Sequence, residues 1–145
     1  IAMLSGGDYL GQADESLQSA WSKGAEAYRG VSMSGFPNFF MLYGPNTNLG
    51  SNSIIFMVER QVNYVVNCID KLLTHRLRAF DINREQLHRY NENIQAELGE
   101  TVWVTNCDSW YKNAEGKVVN NWPRSTLNYW WQMRRPSYAE YDMRV

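Results

Sequence analysis

Residues 44–53, GPNTNLGSNS, set glycine, proline and small polar side chains between two apolar stretches. Asn46, Thr47 and Asn48 bring carboxamide and hydroxyl groups that both donate and accept hydrogen bonds. If a helix starts just after them, its first turn adds unpaired N–H groups and a partial positive charge. Such a set suits an anion, or a carbonyl oxygen that gains negative charge when its ring is reduced, as at the pyrimidine edge of a flavin. The glycines would let a ring approach the backbone. The same residue types also make ordinary turns and helix caps, so spacing alone leaves both readings open.

The flanking elements decide how such a loop is held. Upstream, residues 39–43 (FFMLY) form a short continuous apolar run that follows a turn at Gly35, Pro37 and Asn38. That pattern predicts a strand buried on both faces, as in a parallel sheet covered by helices. Downstream, Ile54, Val58, Val62, Val65, Ile69 and Leu72 recur at helical spacing and predict a helix over 53–74 with those residues inward. Ser51, Asn52 or Ser53 can cap it, and His75 and Arg76 suit its end. A buried strand, a polar loop and a helix N-terminus is the arrangement in which α/β sheets bind ligands.

Elsewhere, residues 14–27 read as a helix capped by Asp14, with Leu17, Ala20, Trp21 and Ala25 on one face and Gly24 weakening it. Residues 78–82 (RAFDI) read as a short strand. Residues 83–98 read as a second long helix, capped by Asn83 with Gln86 three residues on, and lined inward by Leu87, Tyr90, Ile94 and Leu98. Beyond Gly99 the chain reads as an irregular aromatic tail, broken by Pro123 and Pro136 and crowded with tryptophan and tyrosine. The fold class expected is mixed α/β and helix-rich.

Composition narrows the function classes. The chain has 145 residues, 44 % hydrophobic, which allows one domain with a core. A net charge of −1 offers no field for nucleic acid or an anionic membrane. No apolar run approaches the ~20 residues that span a bilayer. Cys68 and Cys107 lie outside any C-x-x-C motif and read as reduced structural thiols, which points to the cytoplasm. His75 and His88 read as a helix-end and a surface residue, with no metal site. Ile1 stands where an initiator methionine would, which points to a cut or to a start inside a longer protein.

Three stretches in this order, GFPNFFMLYGPNTNLGSNS, SWYKNAEGK and NNWP, with WSKGAEAYRG upstream, resemble the C-terminal region of FAD-containing monooxygenases of the Baeyer–Villiger type. The resemblance covers roughly residues 10–130. It implies a two-dinucleotide-domain flavoprotein, with residues 1–75 as the C-terminal part of the FAD domain, including its closing strand and helix. Residues 76–145 would be a cap and tail that contact the cofactor and substrate domains. In that family NADPH reduces the flavin, oxygen adds to give a flavin peroxide, and oxygen is inserted next to a ketone carbonyl or placed on a heteroatom. By resemblance, Asn46, Thr47, Asn48 and Leu49 lie against the flavin. Trp110 matches a tryptophan near the nicotinamide cofactor, and Lys117 matches the lysine of the same G-K turn, with Asn113 close by.

No G-x-G-x-x-G occurs in the chain, so neither dinucleotide has its phosphate turn here. No catalytic residue is assigned, and the chain by itself is expected to be inactive and to self-associate through exposed aromatic faces. Arg124, Arg134 and Arg135 are weighed as partners for NADPH phosphates against plain solvation. The alternative reading is a stand-alone aromatic-rich binding or oligomerisation module, in which tryptophans stack on sugar rings.

Overall fold

The computed structural model describes residues 9–49, 53–100 and 116–145. The expected roles of Ser51, Asn52, Cys107, Trp110 and Asn113 fall outside these residues. The elements in chain order are α1 (Leu17–Ala20), α2 (Ile54–Thr74), β1 (Ala79–Ile82), α3 (Arg84–Gly99), α4 (Thr126–Met133) and β2 (Tyr141–Arg144). The architecture is mixed and helix-rich, as expected. No helix among the described residues is long and apolar enough to cross a membrane.

Both long helices form where periodicity placed them. Ser53 caps α2 by accepting from the Phe56 amide, and Asn83 caps α3 by accepting from the Glu85 amide. The inward face of α3 carries Leu87, Ile94 and Leu98 as expected, with Asn91 buried among them.

The inward face of α2 differs from the expectation. Met57, Gln61, Tyr64 and Cys68 are buried, at steps of four, three and four. Ile54, Val62 and Ile69, placed inward by the sequence, are exposed, and Ile55 and Leu73 are exposed to 72 % and 74 %. The reason lies in the partners of the polar residues. Gln61 accepts from the Tyr43 amide at 2.7 Å and donates to the Tyr129 hydroxyl at 2.8 Å. The Tyr64 hydroxyl meets that of Tyr141 at 2.9 Å. A buried face that satisfies its polar groups in this way is chosen over a purely apolar one.

Two further expectations are corrected. The helix over 14–27 shrinks to α1, capped by Ser16 rather than Asp14. Ala13 and Asp14 both adopt left-handed backbone, and Gly24 at φ 111° turns the chain out of helix, so Ala25 is buried from a non-helical segment. Residues 39–43 form no strand. Phe40 makes one isolated bridge to Ser32, Leu42 is exposed, and Tyr43 is left-handed. The sheet among the described residues is antiparallel and two-stranded, and it pairs β1 with the tail strand β2 in the register Ala79↔Arg144 to Ile82↔Tyr141. With no parallel neighbour beside it, the apolar run packs its side chains without a ladder.

Residues 116–145 of the tail are more regular than their composition suggested. Ser125 caps α4, and Trp122, Tyr129, Met133 and Tyr141 are buried in the core with Phe80, Ile82 and Tyr64. Most of the tail's described aromatics therefore pack inward, although Trp131 stays exposed. Cys68 is also buried, and burial pushes its thiol up to about 12, with the Arg29 charge opposing. That is the environment of an inert structural thiol.

Arg29 stands at the centre. Its guanidinium donates to the Gln132 carbonyl at 2.5 Å, pairs with Glu140, and lies over the rings of Tyr28 and Tyr64. Arg29 and Gly30 take consecutive left-handed conformations, φ 53° and 73°. A Cβ on Gly30 would sit 2.1 Å from Thr47 Cγ2 and 3.2 Å from the Pro45 carbonyl oxygen. Gly30→Ala is expected to destabilise the fold by about 2–4 kcal/mol through backbone strain and overpacking. A urea midpoint unchanged from wild type would refute this.

Candidate cofactor-contact site

The loop that attracted attention in the sequence is built around a turn at Pro45 and Asn46, with Asn46 at φ 56°. Asparagine is among the few non-glycine residues that tolerate this conformation. Thr47 Oγ1 donates to the Gly44 carbonyl at 2.6 Å and closes the turn on itself. Asn46 and Thr47 are buried, while Asn48 and Leu49 are partly exposed.

The polar groups of the loop find their partners in the tail. Asn46 Nδ2 donates to the carbonyls of Val118 at 2.9 Å and Asn121 at 3.1 Å. The amides of Asn46 and Asn48 donate to Val119 and Asn120, and the Trp122 amide donates back to Asn48. Asn48 and Asn121 thereby form a parallel bridge. Asn48 Nδ2 donates to Asn121 Oδ1 at 3.1 Å, and Asn48 Oδ1 accepts from the Tyr43 hydroxyl at 2.7 Å. The side chains of Asn46 and Thr47 are thus committed to building the loop. Asn48 and Leu49 remain at its accessible edge, next to the capped start of α2.

Asn121 is the residue that sequence reasoning missed. It is 2 % exposed, and its Nδ2 has no hydrogen-bond partner among the described residues. A buried open donor is uncommon and calls for an acceptor. Within NNWP it looked like turn material, and no local pattern could have announced a pairing with Asn48, far away in the chain.

The basic candidates divide. Lys117 forms an ion pair with Glu26. Arg124 grips Glu97 through both Nε and Nη2, and also lies over the Trp122 ring. Arg134 stacks on exposed Trp131 at 4.3 Å, and Arg135 is exposed. The structure therefore gathers Asn46, Thr47, Asn48 and Leu49 with Asn121, whereas Lys117 and Arg124 are held by local carboxylates. His75 ends α2 beside Lys71, and exposed His88 pairs with Glu92, as their positions suggested. Among the described residues no group of three His, Cys, Asp or Glu is placed to hold a metal ion.

Comparison with known proteins follows the same residues. No protein-family model matches the chain. The sequence is 38 % identical over 139 residues to the FAD-binding monooxygenase ktnD of Aspergillus niger, and 38 % identical over 125 residues to a Baeyer–Villiger monooxygenase of Pseudomonas aeruginosa. A Baeyer–Villiger monooxygenase of Streptomyces coelicolor is 37 % identical over 136 residues. These matches cover 92 %, 85 % and 92 % of this chain but 23 %, 24 % and 26 % of those proteins. The chain spans about a quarter of the length of the curated relatives it matches. Its fold is similar to that of a steroid monooxygenase bound to NADP, with a TM-score of 0.82 at 21 % identity over 94 % of this chain and 26 % of that one. It is also similar to a closed crystal structure of cyclohexanone monooxygenase, with a TM-score of 0.81 at 23 % identity over 95 % of this chain and 27 % of that one.

The role of the loop in holding the tail can be measured directly. Asn46→Ala strips the Asn121 carbonyl of its donor, while Val118 keeps the bond from Gln95 Nε2. The expected cost is about 2–3 kcal/mol in urea unfolding. Lys117→Met removes a partly exposed ion pair and should cost about 1 kcal/mol or less. Equal effects would mean that the loop does not anchor the tail.

Proposed function

We propose that this chain, homologous to the C-terminal region of FAD-containing monooxygenases of the Baeyer–Villiger type, is the part of such an enzyme that closes its FAD site and covers its NADPH side. The whole enzyme would use NADPH and oxygen to insert oxygen next to a ketone carbonyl or to oxidise a heteroatom in a small organic substrate. The observation that carries this reading is the sequence relationship itself, which runs through nearly the whole chain and includes the polar loop.

The loop fits a flavin. The buried Asn121 Nδ2, beside Asn48, has no hydrogen-bond partner among the described residues. The N-terminus of α2, 21 residues long, brings a partial positive charge. An acceptor-rich ring edge that becomes anionic on reduction needs both features. In this reading Asn46 and Thr47 shape the turn, while Asn48, Leu49 and Asn121 face the ring. Trp110 and Lys117 belong to the NADPH side. The flavin, when bound, supplies the redox chemistry; the chain's residues bind and orient it and exclude water.

Residues 1–75 would then complete the FAD domain, and residues 76–145 would form the cap and tail. The isolated chain would be inactive, because the glycine-rich turns that cradle both dinucleotides are not in it. The exposed apolar face of α2, including Ile55, Val66 and Leu73, would pack on the rest of the enzyme and drive self-association when left bare. The compartment in this reading is the cytoplasm.

Two substitutions in the full-length enzyme test the reading. Asn121→Asp keeps the acceptor for Asn48 and replaces the open donor by an oxygen. It should cut flavin retained on purification several-fold; because the position is buried the apoprotein's unfolding midpoint falls as well, so flavin content is compared at a temperature where the apoprotein stays folded. Flavin content equal to wild type would remove Asn121 from the site. Trp110→Ala should raise the KM for NADPH about tenfold, the loss of roughly 1.4 kcal/mol of binding. An unchanged KM would remove Trp110 from the nicotinamide side.

A further inference from the structure

Tyr43 ends the apolar 39–43 run, and its backbone takes the left-handed conformation at φ 56°. For an aromatic residue that is a strained position, which persists only where the surroundings impose it. Here they do. The Met41 amide donates to the Val31 carbonyl at 2.9 Å, and the Tyr43 amide donates to Gln61 Oε1 at 2.7 Å. Gly44 lies so close to Gly30 that a Cβ on it would stand 2.3 Å from the Gly30 carbonyl oxygen. Gln61 cannot turn over. A backbone N–H only donates and a backbone carbonyl only accepts, so the bonds from the Tyr43 amide through Gln61 and Tyr129 to the Arg29 carbonyl run in a single sense. Tyr43 is therefore fixed from the core side.

The hydroxyl end of the same residue reaches the candidate site. It donates to Asn48 Oδ1 at 2.7 Å, and Asn48 Nδ2 donates to Asn121 Oδ1 at 3.1 Å. Tyr43 and Asn48 are both half-buried. A carboxamide has nearly the same shape either way round, but one end accepts and the other donates. While the phenol donates, Asn48 keeps its oxygen toward Tyr43 and its nitrogen, which carries a second N–H, toward Asn121. Without the hydroxyl, Asn48 and Asn121 could turn over together. The bond between them would survive, with oxygen and nitrogen exchanged on both. The backbone bonds of Asn48, to Asn120 and Trp122, do not prevent this, because they leave its side chain free to rotate.

We propose that Tyr43 is a positioning residue for the flavin: its hydroxyl ties the Asn48 oxygen, so that Asn48 offers N–H rather than oxygen to the ring. The inference rests on the reading that the loop meets the flavin. In that reading the ring edge is rich in acceptors and becomes anionic on reduction. A donor held there in advance favours the reduced ring, and an oxygen in its place disfavours it.

The test uses the full-length enzyme with FAD in excess and reads the midpoint potential of the bound flavin rather than turnover. Tyr43→Phe keeps the ring and the amide bond to Gln61. It should lower the potential by about 30 mV, a tenfold loss of preference for the reduced ring in a two-electron couple. Asn48→Ala should lower it at least as far, and Tyr43→Phe should add nothing in the Asn48→Ala background. Asn48→Ser, which also lacks the carboxamide, takes its place if Asn48→Ala does not fold. A shift with Asn48→Ala but none with Tyr43→Phe would overturn the role of Tyr43 and leave the flavin contact standing. A shift with Tyr43→Phe alone, or additive shifts, would mean that Tyr43 does not act through Asn48, and would overturn the proposal as well. No shift with either variant would overturn the flavin contact of the loop and this inference with it.

Discussion

A half-buried arginine has to be answered on every side that faces the protein, and in this chain the answer to Arg29 organises the molecule. Its guanidinium reaches a carbonyl in the last turn of α4, the carboxylate that precedes β2, and the faces of two tyrosines, one of them on α2. Breaking one partner of such a set leaves a charge stranded in the core, which is far costlier than losing a surface pair. The N-terminal turn, the long helix and the tail are thus held in one arrangement by a single side chain.

The same residue is linked to the candidate site by continuous hydrogen bonding. The Arg29 carbonyl accepts from Tyr129, Tyr129 accepts from Gln61, and Gln61 accepts from the Tyr43 amide. The Tyr43 hydroxyl then donates to Asn48, and Asn48 donates to Asn121. The position of Asn121 Nδ2 beside the loop is therefore set by core contacts rather than by the loop alone. Polar networks of this kind specify geometry when every member is satisfied. Here the network ends on Asn121 Nδ2, which has no hydrogen-bond partner among the described residues.

Helix α2 shows what a second constraint does. Its more apolar stripe lies outside and its polar-containing stripe lies inside, because Gln61 and Tyr64 have matching partners only in the core. An apolar face left exposed along a long helix is expected of a segment that completes a larger body. The two faces of the small sheet follow from alternation along β1. With Phe80 and Ile82 committed to the core, Asp81 must face the other way, toward Asp142.

What the sequence determined by itself was local. The spans and caps of α2 and α3 follow from 3.6-residue periodicity and from Ser53 and Asn83. The turn character of the 44–48 loop follows from its asparagine, glycine and proline. The family resemblance follows from motif order. Tertiary structure alone decided which face of α2 is buried, that residues 39–43 lack a ladder, that YDMR is a strand, and that Asn46 and Asn48 spend their hydrogen bonds on residues 118–122. Each of these rests on pairing between residues far apart in the chain, such as Ile82 with Tyr141 or Asn48 with Asn121. Local propensity carries no record of such partners, because the same side chain is satisfied equally well by water, by a ligand or by a distant carbonyl until the fold brings one of them within reach.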